Sequence, residues 1–131
     1  MFIEAFAKFL QDKKLGGIGK DTFAHHMPAS VKSGILLVNP NTGIAIDREL
    51  EGFYQDVFTV IIREPTLSAV SARANKIMAV LPLLDTEVQG IRFKYVKPLS
   101  LPIIYPQDDG SLFEAGIPVE FAAYPVQSSL K

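Results

Sequence analysis

A chain of 131 residues has the length of one domain and buries roughly two thirds of its unfolded surface, enough to fold without covalent staples. Cysteine is absent, which excludes disulfides and thiolate metal sites and fits a reducing compartment, and a formal net charge of −1 points to neither an acidic nor a basic partner. No stretch approaches the roughly 20 apolar residues of a membrane-spanning helix, so no membrane partner is expected.

Residues 1–10 are apolar but lack a basic n-region and are interrupted by Glu4 and Lys8, so they do not read as a signal peptide. Phe2, Ile3, Phe6, Phe9 and Leu10 instead recur at helical spacing. Glu4 and Lys8 stand four apart on the wet side, and Gly16-Gly17 is placed to stop a helix over residues 2–13. Residues 19–27 read as a turn-rich connection in which Phe23 plugs the core. Gly34-Ile35-Leu36-Leu37-Val38 is a short apolar run closed by Asn39-Pro40-Asn41-Thr42-Gly43, the pattern of a buried strand and a turn.

Residues 44–52 turn polar, with Asp47, Arg48, Glu49 and Glu51 close together, and predict a projecting loop or hairpin. Residues 53–64 form a long β-type run. In it Val57 and Ile61 at odd positions, and Phe58, Val60 and Ile62 at even ones, are all apolar, so neither side of this strand faces water cheaply. Thr66 then caps a second helix with the stripe Leu67, Val70, Ala74, Ile77, Met78 and Leu81, ended near Val80 by Pro82.

Ile91, Phe93 and Tyr95 alternate with Arg92 and Lys94 in a half-buried strand. Residues 98–106, with Leu99, Leu101, Ile103, Ile104 and Tyr105 between three prolines, read as an apolar arm. Gln107-Asp108-Asp109-Gly110 supplies a turn into a last strand where Phe113, Ala115, Ile117, Val119, Phe121 and Ala123 alternate with other residues. Pro118 inside that strand predicts an edge or a bulge, since proline cannot donate to a ladder.

Helix, strands, helix, strands without a βαβ rhythm predicts an α+β domain over residues 1–131. The expected architecture is a mainly antiparallel β-sheet with two α-helices on one face.

Chemistry has little to stand on. Gly16-Gly17-Ile18-Gly19-Lys20-Asp21 resembles a phosphate loop only loosely: Lys14 stands where the first glycine belongs, Asp21 replaces the magnesium-binding hydroxyl, and a helix precedes it instead of a strand. Adjacent His25 and His26 point to opposite sides of a strand, and no cysteine or carboxylate cluster completes a metal site. No nucleophile elbow exists. Arg92, Lys94, Tyr95 and Lys97 form the closest approach to a nucleic-acid patch and read as a solvated strand face. No catalytic residue, metal or cofactor is expected, and the expectation is of a protein that is not an enzyme.

Surface that a monomer struggles to cover is the stronger signal. The two-faced strand, the proline-bearing strand and the arm together predict self-association through strand edges and arms, the alternative being an internal sandwich-like packing that hides those faces.

Taken together, these elements resemble the tail-terminator (tail-completion, minor-capsid-type) proteins of long-tailed bacteriophages. The resemblance is carried by the opening helix into Leu15-Gly16 and Thr22-Phe23, by the strand from Ile35 to Val38, and by Phe58-Thr59-Val60-Ile61-Ile62-Arg63. It continues through Ala69, Ala72, Ile77 and Leu81 to the hairpin from Asp108-Asp109-Gly110 into Val119-Glu120-Phe121. Pro65 and the proline-rich arm depart from the pattern. The resemblance implies a virion tail component, assembled in the host cytoplasm, that forms a ring, usually hexameric, on the head-proximal end of the tail tube. Its implied partners are other copies of itself, the tail tube protein and the head connector or completion protein, with genomic DNA passing through the lumen without sequence-specific binding. On that reading Asp47, Arg48, Glu49, Glu51 and Arg63 are candidate oligomer or lumen contacts, Arg63 as a cross-subunit or loop-fixing ion pair, and Leu99, Leu101, Ile103, Ile104 and Tyr105 are candidate arm contacts. The alternative is a monomeric α+β adaptor, another head-tail joining protein or a host-directed inhibitor, that uses the arm as its ligand surface.

Overall fold

Apolar spacing places the first helix where expected. In the computed structural model, which describes residues 2–40, 42–46, 52–105 and 112–126, α1 (Phe2–Asp12) buries Phe2, Ile3, Phe6, Phe9 and Leu10. The wet side pairs differently from the expected Glu4–Lys8 couple: Lys8 reaches Asp12 at 3.0 Å, and Glu4 reaches His25 at 2.9 Å. The helix also stops before the glycines. Lys14, at φ 62°, takes the left-handed position, with its N–H donating to Gln11 C=O and the Leu15 N–H to Leu10 C=O, the paired bonds of a Schellman cap.

After it run β1 (Thr22–Ala24), β2 (Gly34–Val38), β3 (Tyr54–Glu64), α2 (Leu67–Ala79), β4 (Leu83–Val88), β5 (Ile91–Pro98), β6 (Ile103–Ile104) and β7 (Phe113–Pro125). The sheet order is β1-β2-β3-β7-β5-β4, with β6 paired to β7 further along. Every pairing is antiparallel except β1 with β2, so the fold is α+β with a mostly antiparallel seven-stranded sheet. The Thr66 hydroxyl accepts the Ala69 N–H at 3.1 Å and caps α2, a contact typically worth about 1 kcal/mol.

Both helices lie on one face. Phe58, Val60 and Ile62 of β3, and Ala115, Ile117, Val119, Phe121 and Ala123 of β7, share one core with α1 and with Val70, Ala74 and Ile77 of α2. Aromatic rings tie that core together, with Phe6 5.2 Å from Phe58, Phe58 5.5 Å from Phe121 and Phe2 5.3 Å from Phe121 between centroids.

Three expectations need correction. Phe23 does not plug the core: it sits half-buried on β1 opposite Leu36, while the adjacent Thr22 is fully buried. Strand β4 breaks apolar alternation with Asp85 and Glu87 and was not expected; Gln89 and Gly90, both at positive φ, turn it into β5. Pro118 lies in the central strand of the sheet, opposite Thr59, not at an edge. Its carbonyl accepts the Leu99 N–H at 2.8 Å, so its nitrogen faces the place where the chain leaves β5 before rejoining as β6. The ladder bond that proline cannot make falls in that gap. The bulge sits on the neighbouring strand, at Lys94 between Phe93 and Tyr95.

Candidate functional site

Because side chains alternate across a strand, β3 presents a second, different surface. Phe58, Val60 and Ile62 are sealed under the helices, whereas Val57, Thr59 and Ile61 on the opposite face are only half-buried. Register extends this open face across the sheet, since Phe23, Leu36, Ile61, Gly116 and Ile103 stand side by side on five strands. At Gly116 a Cβ would collide with the Tyr105 phenol, so this glycine admits the Tyr105 ring against the sheet.

Polar clamps bound this apolar row. At one end Gln55 Nε2 donates to Tyr95 Oη at 2.7 Å, and Tyr95 Oη donates to Glu120 Oε2 at 2.9 Å, which links β3, β5 and β7. Burial and the Glu120 carboxylate push the Tyr95 phenol above its ordinary value, against the lowering effect of Gln55. At the other end Arg63 Nε donates to Glu114 at 3.0 Å, while its Nη1 donates to the carbonyls of Pro28 and Val31 at 3.2 and 3.1 Å. Arg63 thus fixes the loop before β2 within its own chain.

The arm brings its apolar residues to the surface. Leu99 is 52 % exposed, Leu101 78 %, Ile103 48 % and Ile104 42 %, while Tyr105 is half-buried. Alternation divides them, with Ile103 and Tyr105 on the open face and Ile104 toward α2. There Leu101, Pro102 and Ile104 form a shallow groove of about 300 Å³ with Ser71, Ala74 and Asn75. Asp47, Arg48, Glu49 and Glu51 lie outside the described residues, as does the Asp108-Asp109-Gly110 turn.

A second groove, of about 370 Å³, opens between α2 and the turn after α1. Lys14, Leu15, Glu64, Arg73, Lys76 and Ile77 contribute to it. Behind its wall Arg73 organises a network, with Nη1 donating to Glu64 Oε2 at 2.7 Å and to Ser33 Oγ at 3.1 Å, and Nη2 donating to Asp21 Oδ2 at 3.0 Å. Burial pushes the Asp21 carboxyl up, but the Gly17 N–H and the Arg73 guanidinium outweigh it and hold it below its ordinary value. Sequence reading missed this network and the Gln55–Tyr95–Glu120 chain, because the partners are 9 to 65 residues apart with no local signature.

The glycine-rich turn spends its donors internally. The Gly17 N–H goes to Asp21 Oδ1 at 2.6 Å and the Ile18 N–H to Gln11 Oε1 at 3.0 Å, which leaves neither amide for a phosphate. His25 is tied to Glu4, and among the described residues no three of His, Cys, Asp or Glu gather as a metal site. No helix among the described residues is long and apolar enough to cross a membrane.

A family model described as bacteriophage tail terminator protein matches residues 9–125. The match runs from the end of α1 to the end of β7 and includes the open face, the arm and both grooves. No curated protein matches the chain.

Proposed function

The chain belongs to the bacteriophage tail terminator family, and from that premise we propose that copies of it form a ring, hexameric in the simplest case, on the head-proximal end of the tail tube. Membership makes it a structural component of the virion tail that contacts other tail components. In the proposal the ring ends polymerisation of the tube protein, offers its far side to the head connector or completion protein, and lets genomic DNA pass through its lumen. Assembly takes place in the host cytoplasm.

The observation that carries this reading is the unequal burial of β3. A strand whose even positions are sealed and whose odd apolar positions are half-open has surface left for an intermolecular contact. The exposed arm residues Leu99, Leu101, Ile103 and Ile104 add to it. Head-to-tail contacts that close into a ring consume such surface without generating fibres. A net charge of −1 suits a channel that must not grip phosphates. Electron microscopy of particles made without this gene tests the proposal: overlong tubes without heads are expected, and normal-length tails joined to heads would overturn it.

A further inference from the structure

The groove between α2 and the turn after α1 has cations to spare. Its lining sets Lys14, Arg73 and Lys76 against one carboxylate, Glu64, beside Leu15 and Ala72. Arg73 is taken by Glu64 at 2.7 Å and by Asp21 at 3.0 Å. Lys14 and Lys76 are exposed and have no ion partner among the described residues.

The far corner of the sheet carries the complement. Strand β4 ends the sheet order, so no described strand covers its outer side. On it Leu84 is 63 % exposed and stands in register with Tyr95, which places it on the open face. Two exposed carboxylates follow. Asp85 is 3.6 Å from Arg92, and Glu87 has no ion partner among the described residues. Register keeps the two corners of one chain apart. Glu64 is level with Phe113 of β7, whereas Glu87 is level, through Arg92, with Tyr124 of the same strand. Those levels are roughly 35 Å apart along the strand.

The carboxylates also sort partners for the edge. Pairing of two β4 edges would set acid against acid, which is destabilising, whereas a groove with surplus lysines attracts them. We propose that the groove of one copy receives the β4 edge of the next, with Leu84 lying over Leu15 and Ala72 and with Asp85 and Glu87 meeting Lys14 and Lys76. The inference rests on the ring reading above and names its contact. Donor and acceptor are different patches, so each copy gives to one neighbour and receives from the other, the heterologous geometry that a closed ring requires.

Complementation of phage lacking the native gene tests it. Lys14→Glu/Lys76→Glu, or Asp85→Asn/Glu87→Lys, is expected to lower the yield of infectious particles by roughly tenfold or more. Asparagine tolerates the positive φ at residue 85 and frees Arg92 as a second cation. The chain with all four substitutions is therefore expected to recover most of the loss. Halves that leave yield unchanged, or a combined variant no better than its halves when thermal melts match the parent, overturn the contact. A crosslink reads it where a melt does shift. The chain has no cysteine, so Lys76→Cys/Glu87→Cys treated in assembled particles with a short bis-maleimide is expected to give a ladder of covalent multimers, and either single substitution only monomers. Monomers alone from the double variant, in particles whose ring is visible, overturn the contact. The ring reading fails on a different observation, when parent particles examined in the microscope carry no ring at the tube end.

Discussion

The two faces of β3 are built from interleaved residues of one strand, yet they have different fates. On one face Phe58, Val60 and Ile62 are at most 1 % exposed, closed by α1 and α2 and by the inward residues of β7. On the other, Val57 and Ile61 are flanked by strand neighbours and by Tyr105 at Gly116, but no helix of the described residues lies across them. The first face is therefore where the stability of the monomer resides, and the second is the one that the proposed ring would use, since it can be altered with little effect on folding. A third region, the Arg73 network, joins α2 to the Gly16–Asp21 turn and the end of β3 and belongs energetically with the first.

Substitutions separate the two faces. Phe58→Ala deletes a buried ring that touches Phe6 and Phe121, and is expected to cost about 3–5 kcal/mol in denaturant unfolding; a loss below 1 kcal/mol would mean that the helix-covered face does not hold the fold. Arg73→Met strands Glu64, which is 8 % exposed, and breaks the link to Asp21. Because both ion pairs keep some solvent contact, we expect about 2 kcal/mol, below the ~3–5 of a fully buried pair, read from the same unfolding curves. Ile61→Ser on the open face is expected to change monomer stability by only about 1 kcal/mol while abolishing tail termination in complementation. An Ile61→Ser chain that unfolds like Phe58→Ala would erase the distinction between the faces.

The smallest effect is a pH dependence. The folded-state carboxyl of Asp21 sits below its ordinary 3.8, so the stability it contributes is fully present above that value and is lost as pH falls through the folded value. Asp21→Asn is expected to flatten the acid limb of the stability curve below about pH 4, measured by urea unfolding from pH 5 to pH 2. An unchanged limb would remove Asp21 from the linkage.

Much of this was legible in the residues. Periodicities of 3.6 and 2 located α1, α2, β5 and β7, because a helix or strand that buries one face must repeat its apolar residues at the interval of that face, and continuous apolar runs located β2 and β3. Strand β1 escaped because three residues are too few to display a period, and β4 because Asp85, at φ 45° and unpaired in the ladder, interrupts its alternation. Pro118 misled because its local meaning, a missing donor, is cancelled by a gap in a strand that lies 14 or more residues earlier in the chain.

The sequence by itself determined α1, β2, β3, α2, β5 and β7, that β3 is oily on both sides, and that the arm between Pro98 and Pro106 carries apolar residues, since these follow from side-chain chemistry within a dozen residues. Only the tertiary structure decided which side of β3 the helices cover, that Arg63 is occupied within its own chain, and that Lys14 and Lys76 flank one groove with Arg73. Those facts depend on strand order and on ion pairs between distant residues, and no local pattern encodes the register that brings them together.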